Sequence, residues 1–143
     1  MYVEELKLIV DYGIIGVLGL MGFMTLYFFI ERIMFYSSIN LSEFNSKDEL
    51  ELELGHNVSA IATIGSNAPY IGLLGTVFGI MLTFYALGES TNIDTKSIMT
   101  GLALALKATA MGLLVAIPSI VFYNILVRKM EILLARWTIK YGS

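Results

Sequence analysis

Between Asp11 and the pair Glu31–Arg32 the chain runs from Tyr12 to Ile30 without a charged side chain. A helix needs about 20 predominantly apolar residues to cross the hydrocarbon core of a bilayer, so this run suffices for one crossing. Two more runs follow. From Leu54 to Gly88 there is no formal charge, counting His56 as neutral, and from Ser97 to Val127 the only charge is Lys107. These runs predict an all-α integral membrane protein with three transmembrane helices. Composition agrees: 57% of the 143 residues are hydrophobic and 15% charged, against about half and about a quarter in soluble domains. No polar block is large enough for a separate soluble domain. A net charge of -3 provides no basic surface for nucleic acid, and no nucleic-acid-binding motif is present. The absence of cysteine excludes disulfides, thiolate metal sites and cysteine nucleophiles.

The three runs place the spans at residues 12–30, 68–88 and 98–127 of one membrane domain. Residues 1–11 carry Glu4, Glu5 and Asp11 against Lys7, unlike the basic start of a secretory signal, so the first span is expected to be retained after a short outer helix. Pro69 suits the first turn of the second span. In residues 31–67, Leu50, Leu54, Val58 and Ile61 keep helical spacing and predict an amphipathic helix, although "ELELEL" alone alternates like a strand. Residues 89–97 form a short polar connection. Pro118 is expected to kink the third span. Met130, Leu133, Leu134, Trp137 and Tyr141 form one stripe, so residues 128–143 should continue as a helix outside the lipid. Arg32, Lys47, Arg128, Lys129, Arg136 and Lys140 flank one side of the spans, and only Lys7 and Lys96 the other. The positive-inside bias then puts the N-terminus out and the C-terminus in.

Within the spans, small residues fall on faces. Gly72, Gly75 and Gly79 lie at i, i+3 and i+7, and Gly101, Ala105, Ala108, Gly112 and Ala116 make a similar face on the third span. Small residues let membrane helices approach closely where lipid supplies no hydrophobic drive. The plain reading is two helices packed together; the sharper one is that these faces also pack between subunits of a ring. Thr76 lies ~10 Å along its helix from Pro69, and Thr109 ~18 Å from Ser97. The two spans are antiparallel, so both hydroxyls fall near mid-membrane. Each could simply bond back to its own helix, or the two together could line a narrow polar path.

Lys107 is a possible functional ionisable residue, because a lysine at the centre of a span costs roughly 2.5–3.5 kcal/mol on insertion scales. The alternative is a lysine paired with a carbonyl or carboxylate inside the bundle. It points about 200° away from Thr109 around the helix. No Asp, Glu or His falls within the three predicted spans, so a proton path would need a carboxylate from another chain. Glu31 at the mouth of the first span is expected to pair with an arginine, and His56 is expected at the surface. No metal site, cofactor site or catalytic constellation is recognisable, so the chain does not read as an enzyme.

The stretches "APYIGLLGTVFGIMLTF", Ala68 to Phe84, and "GLALALKATAMGLLVAIPSIVFYN", Gly101 to Asn124, resemble the two signature spans of the MotA/TolQ/ExbB proton-channel family, the ExbB branch most closely. The "ER" that closes the first span and the three-span, N-out layout extend the likeness. The resemblance implies a pentameric ring in the inner membrane of a Gram-negative-type envelope, around single-span ExbD-like subunits whose membrane aspartate carries the proton. The proton-motive force then acts through a TonB-like protein on outer-membrane transporters. The family's pore threonines correspond to Thr76 and Thr109. Two departures stand out: Leu104 occupies a position where many ExbB chains have glutamate, and Lys107 one that is usually apolar. TolQ-like tethering, MotA-like rotation and a non-conducting scaffold ring are the competing readings.

Overall fold

The computed structural model describes residues 2–142 and is all helical among them. Helix α1 spans Tyr2–Ser38, a 3-10 turn follows at Leu41–Glu43, and the short α2 covers Lys47–Leu54. Helices α3, Val58–Gly88, and α4, Thr95–Tyr141, complete the chain. At about 1.5 Å per residue each of the three long helices exceeds the thickness of a bilayer core, and each is apolar enough to cross it.

Local chemistry sets the helix ends. Ser46 caps α2 by accepting a bond from the Glu49 amide at 3.1 Å, while Glu49 Oε2 reaches back to the Asn45 amide. This is a near relative of the capping box. Asp94 caps α4 through the Lys96 amide at 3.1 Å. The polar connection before it, predicted at residues 89–97, is shorter because α4 already begins at Thr95.

Two boundaries differ from the sequence expectation. The predicted amphipathic helix around Leu50–Ile61 is broken at Gly55–Asn57, with Asn57 left-handed at φ 65°. Asparagine tolerates that conformation better than most side chains. Leu50, Leu54, Val58 and Ile61 nevertheless bury together, so the spacing identified the right face on the wrong element. The second long helix begins at Val58 rather than at Pro69, which lies in its interior. A proline removes one ladder hydrogen bond. Here Val58, Ile61, Ile64, Gly65 and Ala68 are buried, and that packing carries the helix through the proline. Pro118 likewise sits inside an unbroken α4.

α1 and α4 run parallel, and α3 lies antiparallel against both. Thr25 meets Ser119, Phe29 stacks on Phe122, and Gly72 faces Gly112. The packing has two regimes. Through the middle, α3 and α4 meet through small residues, and Leu18 of α1 packs with Ala68 and Ala116. At the end that carries α2, large side chains form a core of Tyr36, Leu50, Leu54, Val58, Ile61, Leu126 and Trp137. Elsewhere the bundle is apolar outside: only 11% of the most apolar stretch of α1 is buried, and 22% of those of α3 and α4. Phe23 and Leu114 are 69% and 72% exposed. Such a surface is stable only against lipid or other apolar helices. On length, composition and surface, this is a multi-pass membrane protein.

Arg32 ties the α2 end together. Its guanidinium is 4% exposed, grips Glu31 with Nε at 2.7 Å, and donates to the Glu53 carbonyl at 2.7 Å. The Tyr36 hydroxyl donates to the Leu54 carbonyl. Both carbonyls are among those that a helix C-terminus leaves free, so α1 satisfies the last turn of α2. The salt bridge expected for Glu31 is thus present, with its sequence neighbour. Arg32→Met is expected to lower stability by about 2–3 kcal/mol, because it strands Glu31 and uncaps α2. A thermal melt of the chain in lipid nanodiscs measures this, and Arg32→Lys should fall between the two.

Candidate functional site

The small-residue faces of α3 and α4 meet each other within one chain. A Cβ placed on Gly72 would lie 2.6 Å from the Ala108 carbonyl oxygen and 3.1 Å from the Gly112 Cα. On Gly112 it would lie 2.6 Å from the Ala68 carbonyl oxygen, and on Gly79 or Gly75 2.8 Å from the Cβ of Ala105 or Ala108. Gly101 is filled by Thr83, whose Cγ2 would be 2.6 Å away. Glycine is required at Gly72 and Gly112 because the neighbouring atoms there are backbone, whereas Gly75, Gly79 and Gly101 meet side-chain atoms first. This face is therefore occupied inside the subunit, as the plain reading of Gly72, Gly75 and Gly79 has it.

The close approach brings two hydroxyls together. Thr76, 6% exposed, donates its hydrogen to the Ala105 carbonyl of α4 at 3.0 Å, and its oxygen is hydrogen-bonded to that of Thr109. One hydroxyl carries one hydrogen, so Thr109 is the donor to Thr76. The result is a directed relay from Thr109 through Thr76 to the Ala105 carbonyl. Neither threonine follows the plain alternative of a bond back to its own helix. Thr83 does, to Gly79, and Ser119 does, to Val115. Thr109 is only half-buried, and as a donor it keeps the acceptor capacity of its oxygen.

A second hydroxyl couple was not singled out in the sequence. Ser119 and Thr25, both buried, are 3.1 Å apart between α4 and α1. Serine after proline in an apolar run was the available signal.

Lys107 is exposed on the opposite face of α4. It borders a cavity of about 40 Å³ between α1 and α4, together with Asp11 and Leu104. The charge boundary drawn at Asp11 excluded that carboxylate from the spans, but α1 continues unbroken through it. An acid of this chain therefore stands at the level of Leu104–Lys107, one residue before the predicted first span of residues 12–30. It faces the α1–α4 groove, not the relay. His56 is exposed, as expected.

A bundle that exposes its apolar side chains and keeps uncharged hydroxyl couples between close-packed helices defines a polytopic membrane protein built to hold polar groups at depth. The chain belongs to the MotA/TolQ/ExbB proton channel family, whose model matches residues 35–139. It is 58% identical over 134 residues to an ExbB-like biopolymer transport protein of Helicobacter pylori, covering 94% of this chain and 89% of that one. It is 54% identical over 140 residues to the biopolymer transport protein ExbB of Aquifex aeolicus, covering 98% and 95%. It is 40% identical over 92 residues to the Tol-Pal system protein TolQ of Pseudomonas aeruginosa, covering 64% of this chain and 39% of that protein.

Proposed function

We propose that the chain is an ExbB-like subunit of a proton-driven motor in the bacterial inner membrane. In this reading several copies, five by the family likeness, ring a single-span ExbD-like partner. A membrane aspartate of that partner exchanges its proton beside Thr76 and Thr109, and the cycle works a TonB-like protein that energises outer-membrane transport. The observation that carries the reading is the Thr109–Thr76–Ala105 relay. A threonine hydroxyl holds no charge at ordinary pH but accepts and donates a proton-bearing hydrogen bond, which is what a carboxylate needs while it changes protonation state. Each unit charge crossing 100 mV releases about 2.3 kcal/mol, so a few protons suffice for a mechanical step.

Orientation follows the cations. Arg32, Lys47, Arg128, Lys129, Arg136 and Lys140 belong to the α2 end of the bundle, which is thereby assigned to the cytoplasm, with the N-terminus outside. The TolQ similarity supports a second reading, in which the same ring tethers the envelope.

Native mass spectrometry of the complex, extracted gently from its own membranes, tests the assembly. The expected result is a ring of this chain carrying a minority single-span subunit. A ring of this chain alone would remove the carboxylate and leave a scaffold.

A further inference from the structure

α1 and α4 keep step along their length. Gly22 abuts Val115, Thr25 bonds Ser119, and Phe29 stacks on Phe122 with ring centroids 4.1 Å apart. The same step carries Asp11 of α1 to the level of Leu104–Lys107 on α4. There the two charged side chains line one cavity of about 40 Å³, walled otherwise by Ile14, Ile15, Leu104, Ala108 and Met111. They are not in direct contact, since the ion pairs among the described residues are Arg32–Glu31 and Arg128–Glu131. A water needs about 10–15 Å³ and two or more polar partners, so the space between Asp11 and Lys107 accommodates one.

We infer that Asp11 is the counter-ion of Lys107, the two neutralising each other across the α1–α4 groove through a bridging water. The alternatives around them are poor. The walls of the cavity are apolar, and no second carboxylate lines it. Asp94 is engaged as the cap of α4. Lys7, one turn before Asp11, is the competing cation, but it lines a separate groove with Lys96. A cation within an apolar run is tolerated when a carboxylate partners it. Asp11 thereby holds α1 against α4 and leaves the hydroxyl relay on the far face of α4 without a stray positive charge. The pair is a property of the single chain and holds whether or not a partner fills the ring.

Zero-length coupling tests it directly. A carbodiimide activates the carboxylate, the amine displaces the urea, and the two side chains join as an amide with net loss of one water. Peptide mass mapping of the intact, membrane-extracted complex should find Asp11 joined to Lys107 within one chain. A product joining Asp11 only to Lys7, a product joining two subunits, or no product would each overturn the pairing. A mutant cycle reads the same claim without chemistry. Asp11→Asn and Lys107→Met should each lower the heat-resistant fraction of the complex about tenfold, and the double variant should recover most of the loss. Exchange of the two residues, Asp11→Lys with Lys107→Asp, should also recover it. Additive losses in the double variant would contradict the inference.

Discussion

Gly72→Ala is expected to prevent α3 and α4 from closing. The added methyl carbon would sit 2.6 Å from the Ala108 carbonyl oxygen and 3.1–3.2 Å from the Cα atoms of Gly112 and Thr109. These are backbone atoms, which cannot swing aside as a flexible side chain would, so the helices must separate. Separation lengthens the 3.0 Å Thr76–Ala105 bond as well. Overpacking costs about 1–3 kcal/mol and a lost hydrogen bond about 1 kcal/mol more, so a total near 2–4 kcal/mol is expected. Gly112→Ala should match it, because its methyl would meet the Ala68 carbonyl oxygen at the same distance. The control lies on α1: Gly13, Gly16 and Gly19 have no neighbouring atom within 4 Å of an added Cβ. Gly16→Ala should leave the thermal midpoint in nanodiscs unchanged or slightly raised, since alanine favours helix. Equal behaviour of Gly72→Ala and Gly16→Ala would refute the close contact.

The second large effect concerns the hydroxyls, and the two threonines should separate stability from function. Thr76→Val keeps shape but removes the bond to Ala105 and leaves the half-buried Thr109 hydroxyl without its acceptor, at about 1–3 kcal/mol. Thr109→Val leaves the Thr76–Ala105 bond in place, so its stability cost should be about 1 kcal/mol or less. Yet Thr109 is the half-buried end of the relay, and in the proposed motor it is the end that meets the partner's carboxylate. Thr109→Val should therefore reduce proton-driven work by roughly 10²-fold, the scale of a lost positioned proton-transfer group, while assembly persists. Thr76→Ser and Thr109→Ser restore the hydroxyl and should restore activity. A ring that merely scaffolds its partner would not distinguish valine from serine.

Much of this was legible in the sequence because lipid enforces a simple rule. Long charge-poor runs have to be helical, and glycine spacing marks the face where one helix can approach another. That logic placed Thr76 and Thr109 at one depth, and the structure brings them into contact. The spacing does not name the partner of each glycine; within the chain Gly72 meets Ala108 and Gly112, and Gly79 meets Ala105. The misplaced start of α3 has a related cause. Pro69 is a good first-turn signal, but the buried stripe from Val58 to Ala68 overrides it.

The sequence marks Asp11 as the edge of a charge-free run but carries no signal that it stands beside Lys107. Helix α1 runs past it, and only the pairing of Thr25 with Ser119 and Phe29 with Phe122 sets its height. The Arg32 and Tyr36 bonds to α2 carbonyls are long-range contacts with no local signature.

The most direct test of the relay is proton uptake by liposomes holding the complex of this chain with the proposed single-span partner, under an imposed membrane potential, comparing Thr109→Val with Thr109→Ser. The expected result is flux lost in the valine variant and retained in the serine variant, with native masses unchanged. Undiminished flux in Thr109→Val would contradict a role for the hydroxyl pair in moving the proton.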